Sequence, residues 1–209
     1  MKLTHLGHAC VLVETDRARI LIDPGNASSF EGVADLDAVL VTHQHPDHID
    51  APKVAALLAA NPSARFYIDP DSAHAVDGLP EGWAIARTGD RIDIGGTTVD
   101  VVGGLHAAVY GDVPGCTNSA YIVDDGAFFH PGDSLHVPDR PIDVLAVAVS
   151  GPWIKVAESV DHVKAVAPRV AVPIHEGAAA NPAFIIGMVS AFAGDDIVRR
   201  LDRGTATEV

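Results

Sequence analysis

Apolar and polar positions follow two regimes along this chain. In the first two-thirds the apolar residues come in short β-branched runs, among them Ala9 to Val13, Arg19 to Ile22 and Ala38 to Thr42. Turn residues such as Asp23-Pro24-Gly25-Asn26 divide them. Runs of that length and composition predict strands. Further strands are expected at Arg65 to Ile68, Thr97 to Val102, Ser119 to Val123 and Ala127 to Phe129. Asp50 is placed to cap a helix carrying Pro52 in its first turn. Val54, Leu57 and Leu58 share one face of it, and Asn61-Pro62 ends it.

The last third changes rhythm. Asp143 to Val149 is a continuous apolar run, as a strand buried on both faces should be. Trp153, Val156, Ala157, Val160, Val163, Val166 and Ala167 then fall on one helical stripe that Pro168 stops. Arg169 to Ile174 reads as a second buried strand. Asn181 caps a final helix with Pro182 at its first position. Phe184, Ile185, Met188, Val189 and Phe192 form its expected buried face, and Gly194 closes it. Many strands followed by strand–helix units point to an α/β fold, layered sheets with helices outside. No linker or repeat divides the pattern, so a single domain over residues 1–209 is expected.

Composition narrows the function. With 48% apolar residues the chain can build a sizeable core. Its 28 acidic residues against 14 basic ones give a formal charge of −14. Such a surface repels phosphate backbones and anionic headgroups, so a small-molecule substrate is expected, not nucleic acid or a membrane. The start, MKLTHLGHACVLVETD, reads as neither a signal peptide nor a membrane span. Two cysteines make no disulfide framework, and a cytoplasmic setting with reduced thiols is expected. Cys10 sits in an apolar run as a small core residue; Cys116 is a loop thiol. The 11 histidines are the compositional excess, and imidazole is a common metal ligand.

The histidines are spaced for that role. Thr42-His43-Gln44-His45-Pro46-Asp47-His48 follows one predicted strand and precedes a helix, so four potential ligands share one turn at a strand end. Imidazole nitrogens with carboxylate oxygens suit zinc, manganese or iron. Three more candidates each lie just past a predicted strand. His106 follows Gly103-Gly104, Asp133 lies in His130-Pro131-Gly132-Asp133-Ser134, and His175 ends Pro173-Ile174-His175.

An H-x-H-x-D-H motif, a later His, an Asp after Gly and a final His resemble the metallo-β-lactamase-fold superfamily over essentially the whole chain. Leu6-Gly7-His8-Ala9 and His130 to Ser134 are similar to its compact metal-dependent hydrolases of the ascorbate-phosphate lactonase branch. The resemblance implies an αββα sandwich with two metal ions at one edge of the sheets. It assigns His43, His45 and His106 to one ion, Asp47, His48 and His175 to the other, and Asp133 to a bridge between them.

Two divalent ions, most simply zinc, would lower the pKa of a shared water and make a hydroxide able to attack an ester, lactone or phosphoester. Asp47, His8 and His136 are the candidates for a direct part in the reaction. His8 can face the site from the first turn. His136, three residues past Asp133, can supply the leaving group's proton. His130 is expected as packing at a strand end, and His74 and His162 as solvent-facing. A nuclease or phosphodiesterase of the same fold, and a non-catalytic metal-binding module, are the alternatives.

Overall fold

The computed structural model describes residues 1–113 and 115–209. Among these residues thirteen strands, numbered in chain order, form two mixed sheets. The first has seven strands in the order β13 (Thr207–Glu208), β1 (Lys2–Gly7), β2 (Cys10–Glu14), β3 (Arg19–Ile22), β4 (Ala38–Leu40), β5 (Arg65–Ile68) and β6 (Trp83–Ile85). It is antiparallel from β13 to β3 and parallel from β3 to β6. The second has the order β12 (Val170–Ile174), β11 (Val144–Ala148), β10 (Phe128–His130), β9 (Thr117–Val123), β8 (Thr97–Leu105) and β7 (Arg91–Ile94). There β10, β11 and β12 run parallel and the others antiparallel.

Period-two alternation explains why the central strands read as unbroken apolar runs. Ala38 and Leu40 of β4, Tyr121 and Val123 of β9, and Val144 and Ala146 of β11 point between the sheets and meet in one core. Their neighbours point outward. Val39 joins a core under helix α1 (Ala51–Ala60), with Val54 and Leu57. Ile122, Leu145 and Val147 join a third core beneath α3 (Val156–Val166) and α4 (Pro182–Ala193), with Val160, Val163, Ile186 and Val189. A strand covered on both faces has no polar side to display. The four layers, helix–sheet–sheet–helix, are those the sequence implied. A four-residue helix, α2 (Ser72–Ala75), links β5 to β6.

The helix ends behave as their residues dictate. The Asp50 carboxylate accepts the Lys53 N–H at 3.4 Å, and the Asn181 side chain accepts that of Phe184 at 3.2 Å. Three expectations are corrected. Trp153 is not in α3, which begins at Val156 after the Lys155 cap; it lies in the turn Gly151-Pro152-Trp153-Ile154 that precedes the helix. In α4 the core takes Ile186 and Val189, while Phe184 and Phe192 stand 61% and 57% exposed. That helix is apolar almost all round, so periodicity cannot select its buried face. His162 is buried under 5% exposure, not solvent-facing, because α3 turns it inward, where it donates to the His136 carbonyl at 2.9 Å. His74 is exposed, and His130 is buried at the end of β10, donating to the Ala9 carbonyl at 2.9 Å.

Candidate metal centre

Every ligand candidate leaves the end of a strand or the loop after it. His43 to His48 follow β4, His106 follows β8, Asp133 follows β10 and His175 follows β12. The parallel strands of both sheets present these ends on one edge, where the backbone is free to turn its side chains toward a common point. Two clusters result. His43, His45, His106 and Asp133 form the first; His8, Asp47, His48 and His175 form the second, and in each the ligand atoms lie within 4.8 Å of one another. Asp133 faces both. Its carboxylate is 3.3 Å from His106 Nε2 and 3.8 Å from His43 Nε2 on one side, and 3.1 Å from both His48 Nε2 and His175 Nε2 on the other.

Whether these residues suit a metal is decided by what their atoms lack. His48 Nε2, His106 Nε2, His175 Nε2 and Asp133 Oδ1 are buried and none makes a hydrogen bond. Buried polar atoms are rarely left unpaired, and four orphaned lone-pair donors converging on one space are what a cation satisfies. Their far sides are held. His48 Nδ1–H donates to Asp23 Oδ2 at 2.7 Å, and His106 Nδ1–H to the Ala107 carbonyl at 2.6 Å. Thr42 Oγ1 donates to Asp23 Oδ2 at 2.8 Å and therefore accepts from His43 Nδ1–H at 3.0 Å. These bonds fix the tautomers that turn Nε2 inward.

Electrostatics agree. Burial alone pushes the Asp133 carboxyl up, but the facing imidazoles, His48 foremost, outweigh it and hold the group well below the usual carboxylate range. Burial also pushes Asp47 up, and the hydrogen bond from His8 with the charges of His48 and His175 brings it down. Burial, then the neighbouring His48, lowers His43; burial, then His106, lowers His45. Both are thus kept neutral, the state that ligates. His48 is raised despite burial, by Asp133 and Asp23.

His8 enters the second cluster from the turn after β1. Its Nε2–H donates to Asp47 Oδ2 at 2.9 Å and its ring lies 3.9 Å from that of His175. His8, Asp23 and His175 all hold left-handed backbones, at φ of 53°, 52° and 61°. For residues other than glycine such strain collects at functional sites. His136 is not brought to either cluster. Its N–H reaches Ser134 Oγ, its carbonyl is tied to α3 through His162, and its ring lies edge-on to Phe129.

Two contributors escaped the sequence reading. Asp23 read as a turn residue, yet it is fully buried and serves a ligand of each cluster. Trp153 packs edge-on to His106 and to His175, at 5.6 and 5.8 Å, so one indole touches both clusters.

A family model described as a beta-lactamase superfamily domain matches residues 2–175. The chain belongs to that superfamily. Within it, the chain is 31% identical over 194 residues to a UPF0173 metal-dependent hydrolase of Pyrococcus horikoshii, covering 84% of each sequence, and it is a member of this hydrolase family. Protein Rv0786c of Mycobacterium tuberculosis is 45% identical over 188 residues, covering 88% of this chain and 87% of the relative. Among solved structures, the metallo hydrolase Igni18 of Ignicoccus hospitalis superposes with a TM-score of 0.75 at 22% identity, over 99% of this chain and 97% of that one. The likeness to Igni18 is one of fold. The chain is a metal-dependent hydrolase, and no helix among the described residues is long and apolar enough to cross a membrane.

Proposed function

We propose that this hydrolase binds two divalent ions and uses them to hydrolyse a small ester, lactone or phosphoester. The observation that carries the reading is Asp133, buried between two histidine clusters with imidazole nitrogens facing it from both sides. His43, His45 and His106 would hold one ion, Asp47, His48 and His175 the other, and Asp133 both. Seven ligands exceed what one tetrahedral ion can use. When bound, such a pair lowers the pKa of a shared water toward neutrality and polarises the oxygen under attack.

The chain's own residues do the positioning. Asp23 and Thr42 fix the imidazoles of His48 and His43 from behind. His8 holds one oxygen of Asp47, whose side chain is the most open of the ligand carboxylates at 35% exposure. Zinc is the simplest ion for the donor set, and manganese and iron accept the same ligands.

Elemental analysis of the reconstituted protein should approach two equivalents of metal and fall in Asp133→Ala. A panel of lactones, carboxylic esters and phosphodiesters should show turnover that strong chelator abolishes and added divalent metal restores. Full activity in chelator, with metal confirmed absent, would overturn the reading.

A further inference from the structure

Large apolar side chains left in water are concentrated beside the first cluster. Leu105, Val109, Tyr110 and Val113 are 65%, 59%, 82% and 62% exposed, and all four fall between the end of β8 and the start of β9. This segment starts beside the ligand His106 and is pinned at its other end, where the Cys116 carbonyl accepts the His106 N–H at 3.0 Å. Single exposed apolar residues need no explanation, but a contiguous group beside a reactive centre does.

Val109, Tyr110 and Val113 line a cavity of about 380 Å³ together with Gln44, His45 and His106. Two of its walls are therefore ligands of the first cluster. Among the described residues no lysine, arginine, aspartate or glutamate lines it. Burial pushes the neighbouring Cys116 thiol up to about 11, so it too is uncharged at neutral pH. The whole chain carries a charge of −14, which adds no attraction for an anion.

We propose that this cavity receives the apolar arm of a neutral carboxylic ester or lactone whose carbonyl lies over the metal centre, and that Tyr110 and Val113 set the preference for arm length. A phosphoester's charge could meet only the metal centre, and the described lining adds no cationic side chain to favour it over a neutral ester. The inference rests on the hydrolytic reading above and selects one substrate class within it. In the reaction the oxygen of water bonds to the acyl carbon, the bond from that carbon to the alcohol oxygen breaks, and the alcohol leaves with a proton.

Two measurements test it on the metal-loaded protein. Methyl esters from acetate through butyrate and hexanoate to octanoate give turnover, followed by acid release. Acetone and methyl hexyl ketone, which cannot be hydrolysed, give binding by calorimetry. Each methylene that enters the cavity should raise kcat/KM, and ketone affinity, roughly three- to fourfold. The Tyr110→Ser, Val113→Ser double variant should flatten both slopes while keeping its metal content and melting temperature.

Equal binding of the two ketones would overturn the proposal. So would a double variant that keeps the chain-length slope, including one that alters only the association state and so marks the patch as a contact between copies. Ketone binding that rises with chain length, in a protein that hydrolyses no ester, would keep the cavity and refute the ester reading alone.

Discussion

At the residue scale the centre depends on groups that never touch a substrate. Asp23 is fully buried and accepts three hydrogen bonds, from the Thr42 N–H at 2.7 Å, the Thr42 hydroxyl at 2.8 Å and His48 Nδ1–H at 2.7 Å. Asp23→Asn keeps the size and tolerates the left-handed backbone, but it sets an amide N–H against donors. Metal affinity, read by competition with a chelating dye, should fall about 10- to 100-fold with the fold intact by circular dichroism. Unchanged affinity would remove Asp23 from the site. His162 gives a prediction away from the metal. Burial holds its imidazole below the ordinary value near 6.5, so it is neutral in the folded chain. Above that value both states are neutral and His162 adds no pH dependence. As pH falls through it, the unfolded chain takes up the proton first and stability drops, by up to about 1.4 kcal/mol per pH unit. The loss ends once pH passes below the folded value. Urea melts in chelator between pH 7.5 and 5 should therefore fall more steeply for the wild type than for His162→Gln, whose amide still reaches the His136 carbonyl. Parallel slopes would contradict the assignment.

Elements show which parts of the fold a sequence can disclose. Strands that feed the site were legible because both faces are buried and their runs are apolar throughout, as in β4, β11 and β12. The ligand loops were legible because they begin where such runs stop. Strands β6, with two of three residues exposed, and β13, two residues long, were not. Edge strands this short are specified by the neighbour they pair with, not by their own pattern. The short turn from Asp23 to Asn26 is where local sequence and site meet most closely. A Cβ on Gly25 would sit 1.8 Å from the Asp47 carbonyl oxygen and 2.5 Å from the His48 nitrogen. No rotamer relieves an overlap with backbone, so Gly25→Ala must push the turn away from the ligand loop. It should cost about 3 kcal/mol or more and lower Tm by roughly 6–12 °C for a chain of this size. Metal binding at Asp47 and His48 should weaken with it. A Gly25→Ala protein that melts with the wild type and holds its full metal complement would show that the turn is not fixed by this contact.

Across the whole molecule the candidate centre is a clasp between the two sheets. The first sheet supplies His8 after β1 and His43, His45, Asp47 and His48 after β4. The second supplies His106, Asp133 and His175 after β8, β10 and β12. Within each cluster, ligands from both sheets converge, so a bound ion cross-links the layers of the sandwich. Without one, the buried orphaned nitrogens and the Asp133 oxygen oppose folding, since nothing repays their removal from water. An ion that binds only the folded chain adds stability by mass action, about 4 kcal/mol per site when free metal stands a thousandfold above its Kd. At roughly 2–4 °C per kcal/mol for this chain length, one filled site should raise Tm by about 8–16 °C. Calorimetric melting should move upward with metal concentration and return on chelation. The step should shrink in Asp133→Ala, which removes the carboxylate shared by both clusters. A Tm indifferent to metal, with loading verified by elemental analysis, would mean that the two sheets close without the clasp.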